Sequence, residues 1–99
     1  VVIRYFKKFW DETSGEELTD SWGNSTYYFE ADEQLCVIRQ VQVFQNDKIL
    51  KYDRQNRDDV FGGLADQLLD RKEFAGNEIS AAEFLTLWTE TVSYNELIQ

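Results

Sequence analysis

Four groups of residues have types and spacings that could do chemistry. The carboxylate pairs Glu16-Glu17 and Asp58-Asp59 could supply the two acids of general acid–base catalysis. That work needs two carboxyls at a set separation in a pocket that perturbs their ionisation, and adjacent carboxylates in polar runs fit an exposed loop better. The segment DETSGEELTD, residues 11–20, offers Asp11, Thr13, Glu17 and Asp20 as hard oxygen ligands. It lacks the D-x-[DN]-x-[DN]-G spacing and the terminal glutamate of a calcium loop. Gly62-Gly63 has neither the lysine nor the flanking spacing of a phosphate cradle and reads as a turn before a helix. Cys36 lies in EQLCVIRQV with Arg39 as its one near cation, and reads as a small buried hydrophobe rather than an activated thiol.

The chain has no histidine, which removes the commonest general base, nucleophile activator and metal ligand together. Ser and Cys hydrolases of the usual kind and Cys/His zinc sites are excluded with it. The expectation is a protein that is not an enzyme and that holds no cofactor and no metal.

Charge is the stronger signal. The 99 residues carry a net charge of −9, distributed unevenly. Asp11, Glu12, Glu16, Glu17, Asp20, Glu30, Asp32 and Glu33 fall between Phe9 and Ile38 without one Lys or Arg among them. Residues 39–72 are mixed, and the stretch after Lys72 is again acidic. Binding nucleic acid takes clustered cations to neutralise phosphates, and an anionic membrane surface selects the same sign. Neither partner fits. A basic protein does, because complementary fields speed encounter; acidity that merely keeps a small protein soluble is the plainer alternative.

The elements that position these residues can be read from periodicity. A chain of this length forms one domain, 1–99, and its 42% hydrophobic and 15% aromatic content is enough to build a core. Strands are expected over about 3–10 and 25–32, from β-branched and aromatic density. LCVIRQVQVF places Leu35, Val37, Val41 and Val43 on one period-two face with Arg39 interrupting, so the strand is covered on both sides or contains a bulge. QNDK turns it into KILKY as a hairpin. A short helix using Leu64, Leu68 and Leu69 follows. In NEISAAEFLTLW, Ser80 and Glu83 form a capping box, Ile79 and Phe84 stand as a hydrophobic staple, and Phe84, Leu87, Trp88 and Val92 share a face. The expected fold is α+β: a four-stranded antiparallel meander sheet, with a short helix and a C-terminal helix packed on one face.

No apolar run approaches the roughly 18 to 20 residues of a membrane span, and VVIRYFKKFW lacks the apolar block of a signal peptide. A single cysteine builds no internal disulfide. A cytoplasmic protein is expected.

YYFEADEQLCVIRQVQVFQNDKIL (27–50) and NEISAAEFLTLW (77–88) together resemble a bacterial family of small acidic domains. Its pattern is matched at Arg39, Val41, Val43, Phe44, Asp47, Ile79, Ser80, Glu83, Phe84 and Trp88. It departs at Lys48, where the pattern has glycine, and lacks a His-rich start. The family resembles immunity proteins of contact-dependent inhibition and other polymorphic toxin systems. The resemblance implies an immunity protein that binds and neutralises a basic toxin domain, a nuclease, by occluding its active site. An acidic nucleic-acid mimic or an adaptor for another basic protein is the alternative.

On that reading the partner-binding residues are Asp11, Glu12, Glu16, Glu17 and Asp20 of the acidic loop, with Glu30, Asp32 and Glu33 beyond it. Trp22 is expected either to tuck into the core rim or to anchor the partner.

Overall fold

The computed structural model describes residues 2–97, so the expected span of 1–99 runs past the described residues at both ends. Five antiparallel strands form one sheet in the order β4-β3-β2-β1-β5: β1 (Arg4–Trp10), β2 (Ser25–Ala31), β3 (Val37–Phe44), β4 (Ile49–Asp53) and β5 (Glu78–Ile79). The helices are α1 (Arg71–Phe74), α2 (Ala81–Glu90) and α3 (Tyr94–Leu97). The architecture is mixed α+β, as expected, but the sheet has five strands rather than four. The fifth is two residues long, too short to leave a period in the sequence. It is fixed instead by contacts with β1: Lys7 N–H donates to the Asn77 carbonyl at 2.9 Å, and Arg4 grips Glu78 through two bonds of 3.2 and 2.9 Å.

Side chains alternate across a strand, so the register defines two faces. Phe6, Phe29, Gln40 and Tyr52 are cross-strand partners on one face; Tyr5, Glu30, Arg39 and Asp53 are partners on the other. On the Phe6 face, Phe6, Phe29, Ala31, Leu35, Val37 and Phe74 form one buried cluster, and Trp22, Phe44, Leu50 and Tyr52 form a second. The chain between β4 and α1 covers this face irregularly. Leu64 and Leu69 pack against the clusters, but Leu68 is exposed and only Arg71–Phe74 is helical. The helix expected across Leu64–Leu69 is therefore absent: those leucines are held by the core without helical spacing, and Asp70 starts α1 by accepting from the amides of Lys72 and Glu73.

Both alternatives hold in β3: residues of either face are buried, and the strand pairing contains a bulge. The pairing register shifts between Glu30 and Ala31, so Val37 stands opposite Ala31 while Arg39 stands opposite Glu30. Val37 and Leu35 thereby join the Phe6-face cluster, whereas Val41 and Val43 lie on the Tyr5 face. The extra residue flips the alternation, and the single face expected for all four residues is divided between two.

Ser80 caps α2 by accepting from the Glu83 amide at 3.1 Å. Phe84 is fully buried and its ring lies 5.4 Å from that of Tyr5, while the Phe74 ring of α1 lies 5.8 Å from that of Phe6. Tyr5 and Phe6 are adjacent in β1 and point to opposite faces, so the Phe84 and Phe74 rings meet side chains of different faces. Leu87 and Trp88 are half-buried; Val92 lies beyond the helix and is exposed, so it does not continue the buried stripe.

Candidate partner-binding surface

The acidic segment is a braced loop on the Phe6 face. Gly15 takes a φ of 74°, in the left-handed region that glycine tolerates. Its amide donates to Asp20 at 3.0 Å, the Glu16 amide donates to Ser14 Oγ at 3.0 Å, and Ser14 Oγ lies 2.6 Å from the hydroxyl of buried Thr19. Hydrogen bonds from Thr13 and the Gly15 amide hold the Asp20 carboxyl below the ordinary carboxylate range. Asp20 is thus chiefly a brace. Asp11, Glu12, Glu16 and Glu17 are exposed and make no salt bridge among the described residues.

Trp22 ends the loop, and its place settles one open alternative. It is only 6% exposed, packed edge-on against Phe44 and Tyr94 at 5.0 and 5.2 Å and tilted over Phe61 at 5.6 Å. The following residue, Gly23, has φ 89°, and a Cβ there would come within 2.7 Å of Gln45 Cβ. Only glycine lets the chain pass that point and drive the indole inward. Trp22 is a core residue and is not free to anchor a partner. The exposed aromatics nearby are Phe9 and Trp10, at 57% and 44% exposure. The strand reading hid them because they continue the β1 pattern to its last residue. The signal that could have found them is the abrupt change from Phe9-Trp10 to Asp11-Glu12, where burial must end.

The strand carboxylates divide. Glu30 is buried, and both oxygens accept from Arg39 at 2.7 Å. The guanidinium lies 5.6 Å from the Phe84 ring and 4.9 Å from the Trp88 ring. The bond to Glu30 holds the Arg39 proton more tightly than usual, and burial raises the Tyr5 phenol beside the pair. Glu30 is therefore committed to an internal ion pair and cannot meet a partner's cation; its base lies just beyond the uncompensated stretch. Asp32 closes the β2–β3 turn by accepting from the amides of Gln34 and Cys36, both at 3.0 Å. Glu33 is exposed.

Under the acidic loop the Phe6 face opens into a concavity of about 510 Å³. Tyr27, Phe29, Gln40, Gln42 and Phe44 line it from the sheet; Glu12, Glu16 and Trp10 line it from the β1 end and the loop. Gln40 bridges to the covering chain, donating to the Gly63 carbonyl at 3.0 Å and accepting from the Ala65 amide at 2.9 Å. Gln42 donates to Ser25 Oγ at 3.0 Å. The alternation of Gln40, Gln42 and Phe44 in β3 is the sequence signal for this floor.

Among the described residues no group of three or more His, Cys, Asp or Glu side chains is placed to hold a metal ion, and no helix is long and apolar enough to cross a membrane. Comparison with known proteins finds no matching family model, no matching curated protein and no matching solved structure.

Proposed function

We propose that this protein is an immunity protein that binds a basic toxin domain, a nuclease, in the cytoplasm and blocks its active site without catalysis of its own. The observation that carries this reading is the braced loop with Asp11, Glu12, Glu16 and Glu17 exposed, and in no salt bridge among the described residues, beside exposed Trp10. A nuclease must present cations to phosphates, and carboxylates carried on a loop whose backbone is already braced compete for the same cations without the loop having to order on binding. Phe84 against Tyr5 supports α2 as the cover of the Tyr5 face, which leaves the loop side of the Phe6 face to the partner.

Co-expression with the toxin domain encoded beside it tests the proposal. The parent protein protects cells and co-purifies with the toxin; the variant with Asp11, Glu12, Glu16 and Glu17 changed to their amides folds but protects poorly. Failure of the parent to protect or bind overturns the proposal. Binding to unrelated basic proteins with equal affinity favours a nucleic-acid mimic instead.

A further inference from the structure

We infer that the concavity beneath the acidic loop is a receptor for an arginine side chain projected by a protein partner. The inference rests on the partner-binding reading above and names the chemistry that grips the partner. At about 510 Å³ the space falls within the range of sites that enclose a small group. Its floor is aromatic: the Tyr27 and Phe29 rings stack nearly parallel, 5.6 Å apart at 5°. The amides between them are already engaged within the fold, Gln40 with Gly63 and Ala65 and Gln42 with Ser25. Phe29 belongs to the buried cluster, so the half-buried Tyr27 is the ring of this pair that offers aromatic surface to the space, and an aromatic quadrupole attracts cations. The wall adds Glu12 and Glu16, neither in a salt bridge among the described residues.

Elsewhere in its lining the concavity already holds one cation against a carboxylate and a ring. Lys8 Nζ lies 3.3 Å from the Glu73 carboxylate and 5.7 Å from the centre of the Phe74 ring, and all three residues line the concavity. An anion would be repelled by Glu12 and Glu16, and an apolar group would desolvate them without recompense. A guanidinium satisfies both parts of the site, because its plane stacks on rings while its N–H fork bonds carboxylates. The exposed indole of Trp10 at the rim and the exposed Leu18 of the loop give a protein surface, rather than a free small cation, something apolar to cover.

The test is titration of the isotopically labelled protein with acetyl-Arg-Arg-Arg-amide, its lysine counterpart and spermidine, followed through the indole N–H signals and the amides of residues 25–29. The arginine peptide is expected to move the Trp10 indole and the Tyr27 and Phe29 amides and leave the Trp88 indole in place. Glu12→Gln/Glu16→Gln should weaken it by roughly tenfold, and so should Trp10→Ala, which keeps every carboxylate. The control Glu83→Gln/Glu90→Gln, removing equal charge from α2, should change affinity less than about twofold. Equal losses in the control, shifts confined to other surfaces, or spermidine binding as tightly as the arginine peptide would each overturn the assignment. A captured toxin that leaves the Trp10 indole unmoved overturns this inference and spares the proposed function. Arginine peptide bound in the concavity by a protein that protects no cell does the reverse.

Discussion

Glu30 shows how little a residue's type says about its availability. In sequence it belongs to a run of carboxylates without a base; in the fold the regular β2–β3 register sets Arg39 opposite it, and both oxygens are taken. Truncating one member of this pair, in which Glu30 is buried and Arg39 about a quarter exposed, leaves the other unpaired at a cost of about 1–3 kcal/mol. Glu30→Gln and Arg39→Met should each lower the unfolding free energy obtained from urea titration by that much. Glu30→Leu/Arg39→Met should recover most of the loss, since an apolar pair of similar volume carries no desolvation penalty. A double variant no better than the worse single one would show that the ion pair is needed for more than charge balance. The two tryptophans at the ends of the acidic stretch should part in the same assay: Trp22→Ala costs about 3–5 kcal/mol as a buried ring, and Trp10→Ala stays within about 0.5 kcal/mol. Asp20 carries a pH signature. Its folded ionisation is depressed below the ordinary 3.8 by Thr13 and the Gly15 amide, so its bracing is complete above that value and is lost as pH falls through the lower folded midpoint. The Gly15 amide shift should therefore titrate with a midpoint below 3.8; a midpoint at or above it would mean the brace is not formed.

The elements were legible where local chemistry alone fixes them. Ser80 with Glu83 marks the start of α2, and the Ser80 side chain does accept from the Glu83 amide; Ser80→Ala should cost about 1 kcal/mol in urea unfolding. The β1 to β4 strands follow period two closely enough to be placed within about two residues. What stayed hidden depends on contacts distant in sequence. Two asparagines cover the exposed sides of sheet strands, and neither has a local pattern. Asn95 accepts from the Lys51 amide at 3.3 Å and donates to the Lys51 carbonyl at 2.9 Å, standing in for a further strand beside β4. Asn77 donates to the Lys7 carbonyl at 3.0 Å beside β1. Asn95→Ala strips both bonds from buried backbone and should cost about 1–3 kcal/mol, more than the cap at Ser80. If Asn95→Ala is the milder change, water replaces the amide at that edge. The candidate surface was half legible for the same reason. The carboxylates of the loop are visible in sequence, but the concavity they border also takes lining from the chain at Gly63 and Ala65, which Gln40 ties over the sheet.

At the scale of the whole molecule, charge and surface act differently, and the difference can be measured. A net charge of −9 draws any basic partner at long range, whichever carboxylates supply it, and salt screens that attraction over about 8–10 Å. Local pairing depends on position. Glu12, Glu16 and Glu17 lie in the loop; Asp66, Glu83 and Glu90 lie outside it, and all six are exposed. Changing either trio to amides removes the same charge, so both variants should slow association at low salt by a similar factor, roughly threefold to tenfold. Near physiological salt the long-range part is largely screened, and the trios should separate. The variant outside the loop should approach parental affinity, while the loop variant stays weakened because its carboxylates face the partner's cations at contact distance. Dissociation rates sharpen the comparison, since a field sets encounter whereas a contact sets residence. A faster off-rate in the loop variant alone places the carboxylates in the interface; matching off-rates in both variants would reduce the acidic loop to a source of field and move the contact surface elsewhere on the molecule.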